Sequence, residues 1–220
     1  GGGTVNVDGG SYTTTGANSP AVYSTADISI KNAVLTAKHS EGIVIEGQNS
    51  VSLENCTVSG SMDSENSVSA EENTEAVMIY QSMSGDAKAG LSSFSMNSGS
   101  LTSEKGDVFY VTNTDCTISL KNADIKNNST GYLLRVCGNS GKRGWGTAGK
   151  NGANVTMTAD SENLNGDIAV DTISTLDLTL KNGSTLTGTV NITDNADGGT
   201  AVDNNINVTI EKGCTWTLTG

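Results

Sequence analysis

One histidine, one proline, two phenylalanines and two tryptophans are spread over 220 residues, and aromatic residues make up 4% of the chain. A single histidine, His39, excludes a histidine-based catalytic triad and any histidine zinc cluster. A single proline, Pro20, leaves no room for proline-rich linkers, and no shift of composition divides the chain, so residues 1–220 read as one domain. No run approaches 18 consecutive apolar residues, so no segment is built to span a bilayer as a helix. Positive charge is scarce as well: 12 Lys and Arg against 24 Asp and Glu give a net charge of −12 and a pI near 4.3. That balance argues against nucleic acid and anionic membranes as partners, because both recruit basic patches.

What is present is a repeat. An eight-residue phrase begins at Val5 (VNVDGGSY), Ile28 (ISIKNAVL), Val51 (VSLENCTV), Phe94 (FSMNSGSL), Ile118 (ISLKNADI), Val155 (VTMTADSE), Leu178 (LTLKNGST) and Val208 (VTIEKGCT). The start points are 23, 23, 43, 24, 37, 23 and 30 residues apart, a basal period of 23 or 24 with three insertions. A period of this size marks a solenoid, in which one coil cannot bury its apolar face alone and stacks on its neighbours.

The first and third positions of the phrase are apolar in every copy, and the position between them is Asn, Ser or Thr. A side-chain period of two means a strand with one buried face, which excludes helical solenoids. A later apolar column holds Tyr12, Leu35, Val58, Leu101, Ile125, Leu186 and Trp216, and further runs appear at Ile43-Val44-Ile45, residues 108–111, Leu133-Leu134 and residues 168–170. Three short strands per turn predict a parallel β-helix of about eight coils, each strand pairing with its counterpart one coil away at about 4.8 Å. Parallel crossovers are right-handed in nearly all cases, so the expected hand is right. Gly9, Asn32, Asn55, Ser98, Asn122, Asn182 and Gly213 mark the bend after the first strand, where left-handed backbone is tolerated. Asn32 and Asn55 fall in adjacent coils and predict a short asparagine ladder.

A composition of 35% hydrophobic residues suits a narrow solenoid interior, and with 27 glycines it fits a secreted, surface-type protein. The chain opens on Gly1-Gly2-Gly3 and its last phrase is still in register near Gly220. The expectation is an excerpt of a longer solenoid, or ends covered by neighbouring copies in end-to-end association.

The phrases TVNVDGGSYTTTG, SEGIVIEGQNSVSLENC, MIYQSMSGDA, GDVFYVTNTDCTISL, GNSGKRGWGTAGKNG, ISTLDLTLKNGS and TWTLTG resemble the repeat region of secreted or cell-surface, adhesin-like right-handed β-helix proteins of gut-type anaerobic bacteria, within the pectate-lyase-like superfold. The resemblance covers nearly the whole chain and implies an extracellular or cell-surface location. It implies little about activity, since that superfold hosts lyases, hydrolases, adhesins and stalks. Its lyases hold calcium with clustered aspartates and use an Arg or Lys base. Here the only arginines are Arg135 and Arg143, with no tight aspartate pair on a strand near either.

Four features could carry chemistry. Residues 138–152, GNSGKRGWGTAGKNG, place Lys142, Arg143, Trp145 and Lys150 in an otherwise acidic chain, a composition suited to sugar stacking or anion binding. The alternative is a loop folded over the solenoid flank with Trp145 as a packing anchor. Asp63, Glu65, Glu71, Glu72 and Glu75 form an acidic insertion that reads as solvated, as do Asp194, Asp197 and Asp203, because no calcium-loop spacing is present. Cys56, Cys116, Cys137 and Cys214 occupy different columns and read as free thiols, with Cys116 and Cys137 the one pair worth checking. The outward Ser/Thr column could face ice, but the adjoining charged column (Asp8, Lys31, Glu54, Asn97, Lys121, Thr158, Lys181, Glu211) suits cross-strand pairing instead.

No catalytic constellation, metal set or cofactor motif emerges. The expected function is a non-enzymatic extracellular module, a stalk or adhesin segment that engages glycans or surface proteins through side loops. The alternative is a polysaccharide-active enzyme with Arg143, Lys142 or Arg135 as base.

Overall fold

The protein is described by a computed structural model covering residues 2–63 and 73–219. Every element among these residues is a β-strand, and every pairing is parallel. The first sheet stacks eight strands in chain order: β1 (Thr4–Asp8), β4 (Asp27–Lys31), β7 (Ser50–Gly60), β9 (Leu91–Ser103), β11 (Asp115–Lys121), β14 (Asn154–Asp160), β17 (Thr175–Lys181) and β20 (Ile206–Ile210). The second sheet stacks β3 (Val22–Ser24), β6 (Ile43–Glu46), β8 (Glu75–Tyr80), β10 (Asp107–Thr112), β13 (Leu134–Val136), β16 (Ile168–Asp171) and β19 (Val190–Thr193). A third face carries β2 (Ser11–Thr14), β5 (Val34–Ala37), the second halves of β7 and β9, and β12 (Asp124–Asn127). It resumes with β15 (Asn163–Asn165), β18 (Thr185–Thr187) and β21 (Thr215–Thr217). Parallel strands stacked in three sheets fit a parallel β-helix solenoid.

The interior follows from the alternation. Ile30, Leu53, Met96, Leu120 and Leu180 are all buried, as are Val51, Phe94, Ile118 and Leu178 two residues before four of them. Phe94 of the first sheet meets Phe109 of the second edge-on, with centroids 5.5 Å apart, so the two sheets share one core. Val5, Tyr12 and Ile210 point along the same columns yet are 45–46% exposed, because the first and last rungs have a neighbour on one side only.

The bend is built as the asparagines imply. Asn32, Asn55, Ser98, Asn122 and Asn182 all have φ between 49° and 63°. Asn55 Nδ2 donates to Asn32 Oδ1 at 2.9 Å and Asn32 Nδ2 donates to Asp8 Oδ1 at 2.8 Å, which is the expected ladder. Gly99 follows the same bend in β9. A Cβ there would stand 2.0 Å from the Cys56 carbonyl oxygen, so no other residue fits.

One register differs from the sequence alignment. Met157, not Val155, pairs with Ile118 and Leu178, and Ala159 pairs with Leu120 and Leu180. Val155 instead joins an earlier inward column with Cys116 and Leu176. The sixth phrase therefore begins two residues later, as MTADSENL. Its bend residue is Ser161, at φ 59°, and Leu164 enters the third-face column beside Leu186. Parity survives a slip of two, so both alignments bury apolar side chains; only the bend and the pairing separate them. In the corrected register Asp160 takes the place of Thr158 in the charged column. Lys181 Nζ lies 3.7 Å from Asp160 and Lys31 Nζ lies 2.6 Å from Glu54, so neighbouring rungs carry opposite charges.

A second correction concerns the acidic insertion. Glu65, Glu71 and Glu72 lie outside the described residues, and Asp63 is paired with Lys105 Nζ at 2.7 Å. Glu75, expected in a solvated loop, is instead the first residue of β8 and is completely buried. Asp194, Asp197 and Asp203 are exposed. None of the four cysteines is in a disulfide. Cys116 lies in the interior core while Cys137 packs outside the second sheet, a placement that keeps the two apart.

Candidate functional site

The second sheet has an apolar outer face, and this is where the long insertion acts. Its outward column runs Tyr23, Val44, Met78, Tyr110, Arg135 and Ala169 along consecutive strands. A column of Val, Met and Tyr facing water would forfeit burial worth about 1.5–3 kcal/mol per large side chain. Trp145 of residues 138–152 covers its middle and leaves Tyr23 exposed at the N-terminal end. Trp145 is 8% exposed and tilts against Tyr80 with centroids 4.7 Å apart, completing a second cluster with Val44, Met78 and Tyr110.

Buried amides shape that loop. Asn139 Nδ2 donates to Thr112 Oγ1 at 2.9 Å and to the Trp145 carbonyl at 3.1 Å, while Asn151 Nδ2 donates to the same carbonyl at 2.9 Å. The loop base is fixed by Gly138 N donating to Asp171 Oδ2 at 2.8 Å. Asn195 Nδ2 donates to the same Asp171 oxygen at 2.6 Å, so this carboxylate ties the loop to the turn after β19. Of the four loop residues singled out from sequence, the structure brings Arg143 and Trp145 together, with the guanidinium carbon 4.9 Å from the ring centroid. Lys142 and Lys150 are exposed and line neither cleft beside the loop.

The first cleft, about 90 Å³, lies on the N-terminal side of the loop, walled by Tyr23, Val44, Met78, Tyr80 and Trp145, with Arg143 and Glu41 as its charged groups. Behind it is a polar network sequence reasoning did not find. The Tyr23 hydroxyl donates to Glu46 Oε2 at 2.5 Å and sits 2.8 Å from the Tyr80 hydroxyl, and Ser82 Oγ donates to Glu46 Oε1. Burial first, then the bond to Glu46, pushes the Tyr23 phenol up to about 12, and burial raises Tyr80 as well. Both phenols are therefore neutral hydrogen-bonding groups at ordinary pH, unsuited to act as bases. Tyr23 is 48% exposed and is the accessible aromatic wall of the cleft.

The second cleft, about 210 Å³, lies on the other side of the loop and is polar, with Arg135, Cys137, Asp171, Asp194 and Asn195 among its walls. Arg135 is engaged there: its Nε donates to Asp107 Oδ2 at 2.5 Å and its guanidinium lies 4.5 Å from the Tyr132 centroid. Burial opposes that charge, but Asp107 outweighs it and holds the guanidinium protonated. Among the described residues no group of three or more His, Cys, Asp or Glu side chains could hold a metal ion.

No sequence signal could have picked out Tyr23, Glu46 or Asp171. They lie on the second sheet, whose strands show no regular spacing: Tyr23 and Glu46 meet only because stacking brings β3 and β6 side by side, and Asp171 meets Gly138 and Asn195 from β16. No family model matches the chain, and searches of curated proteins and of solved structures returned no match.

Proposed function

We propose that the chain is a non-enzymatic module of an extracellular or cell-surface protein, a stalk or adhesin segment that binds glycan or protein through the flank covered by residues 138–152. The observation that carries this reading is the first cleft: an exposed phenol, Tyr23, beside Tyr80, Trp145 and Arg143 on an otherwise acidic solenoid. Aromatic edges with one guanidinium suit a sugar or a polar loop of a partner. The resemblance to adhesin-like proteins of gut-type anaerobes supports the surface location. We also infer a right-handed winding of about eight coils, supported by the eight strands of the first sheet and by the hand that parallel crossovers adopt. The exposed apolar positions of the terminal rungs then suit contact with further coils, including those of a second copy.

The arginines support the non-enzymatic reading over a lyase. Arg135 is committed to Asp107 and remains protonated, and Arg143 lies against Trp145. A glycan array run alongside a lyase assay on polyuronates tests this. Binding lost in Tyr23→Ala and Arg143→Ala, with no unsaturated product, is the expected outcome. Product formation that depends on Arg135 or Arg143 would replace the module with an enzyme.

A further inference from the structure

The start of the second sheet carries a stack of carboxyls. Glu75 of β8 pairs in register with Asp107 of β10. Extending the register of Ile43 with Val77 back by two residues sets Glu41 on the other side of Glu75. Three acidic side chains thus occupy successive rungs about 4.8 Å apart. The outer two are provided for. Asp107 Oδ1 accepts from Tyr132 N at 2.7 Å and its Oδ2 accepts from Arg135, while Glu41 accepts from Ser40 Oγ.

Glu75 is different. It has no exposed surface, and neither carboxyl oxygen has a hydrogen-bond partner. The charged groups that act on it are Glu41 and Asp107, which oppose a negative charge, and Arg135, which favours one but is already bonded to Asp107. An ionised carboxylate there would be desolvated and would face like charges above and below, a combination costing several kcal/mol for a group of this kind. The chain around it cannot move aside easily. Asp107 N donates to the Thr74 carbonyl at 2.7 Å, and Gly106 packs so closely that a Cβ on it would stand 1.9 Å from that carbonyl oxygen.

We propose that Glu75 is an acid-dependent latch: it carries its proton in the folded protein, and losing that proton opens the start of β8, the strand that directly follows the acidic insertion. The sign follows from linkage. The folded state keeps a proton that the unfolded chain releases in the ordinary carboxylate range, so stability is full at acidic pH and falls as pH rises. While the folded state still holds the proton, one such group raises the unfolding equilibrium constant about tenfold per pH unit.

Glu162 is also pushed up, to about 7, by burial, and contributes a slope of the same sign at lower pH. The experiment therefore compares E162Q with E162Q/E75Q between about pH 5.5 and 8, below the ionisation of unfolded cysteines. The expected result is a slope nearly tenfold per unit steeper in E162Q than in the double variant. Infrared spectroscopy of the native protein supplies a readout that does not require any variant to fold: a protonated-carboxyl band should persist at pH 8, and hydrogen exchange of amides 75–80 should accelerate with pH beyond intrinsic base catalysis. Absence of the band in folded protein at pH 8, equal slopes in the two variants, or removal of the band by added calcium would each overturn the latch.

Discussion

Replacing Ser161 by asparagine should stabilise the protein, and replacing Ala159 by asparagine should damage it. Ser161 holds the left-handed bend at φ 59°, where the equivalent positions 32, 55, 122 and 182 are all asparagine at φ 49–54°. A left-handed residue other than glycine costs about 1–2 kcal/mol, and asparagine adopts the conformation more readily than serine because its amide bonds locally. The gain expected for Ser161→Asn is about 0.5–1 kcal/mol. Little is lost, since Ser161 Oγ makes only a 3.2 Å bond to Asp160 at the surface. Ala159 is fully buried between Leu120 and Leu180. An amide there costs about 1–3 kcal/mol as an unpartnered polar group and about 1–3 kcal/mol as excess volume. For a chain of this size, 1 kcal/mol moves the melting temperature by about 2–4 °C. Thermal melts should thus rise by about 1–4 °C for Ser161→Asn and fall by about 4 °C or more for Ala159→Asn. Because solenoids can unfold rung by rung, hydrogen exchange in β11, β14 and β17 should follow the same order. A tolerated Ala159→Asn with a destabilising Ser161→Asn would put Ala159 at the bend, as the alignment beginning at Val155 expects, and would refute the pairing described here.

Three further outcomes are expected. Trp145→Ala should cost about 3 kcal/mol, within the range for a buried aromatic, and should loosen residues 138–152 in hydrogen exchange while leaving the Phe94 and Phe109 core protected. Under native conditions a thiol reagent should label the half-buried Cys137 and Cys214 and spare Cys56 and Cys116 until unfolding, and mass spectrometry without reductant should find no bridge. Absorbance titration should find one phenol ionising near pH 12, and Glu46→Gln should bring it only part of the way back toward 10, because burial remains while the negative charge that favours the protonated phenol is removed.

The acidic insertion illustrates how residue type can mislead. Glu75 stands among Glu71, Glu72 and Asp63, and a run of carboxylates in a polar stretch reads as solvated. The apolar sequence that follows, Ala76 to Tyr80, is itself a strand of the second sheet, and the first residue of that strand is carried inside with it. The loop at 138–152 was legible in outline, since a tryptophan among glycines and basic residues is distinctive. Its target was not: Tyr80 and Val44 lie about 65 and 100 residues earlier in the chain.

The sequence by itself determined the strand period, the inward columns and the left-handed bends, because each depends on neighbours a few residues away: alternation sets which side is buried, and asparagine or glycine sets where the chain can turn. The tertiary structure alone decided the two-residue shift at Met157, the joining of Tyr23, Glu46 and Tyr80, and the burial of Glu75. Parallel pairing aligns residues 21 to 43 positions apart, and a slip of two preserves every apolar side chain's facing, so backbone hydrogen bonds and the packing of whole rungs must settle what local pattern leaves degenerate.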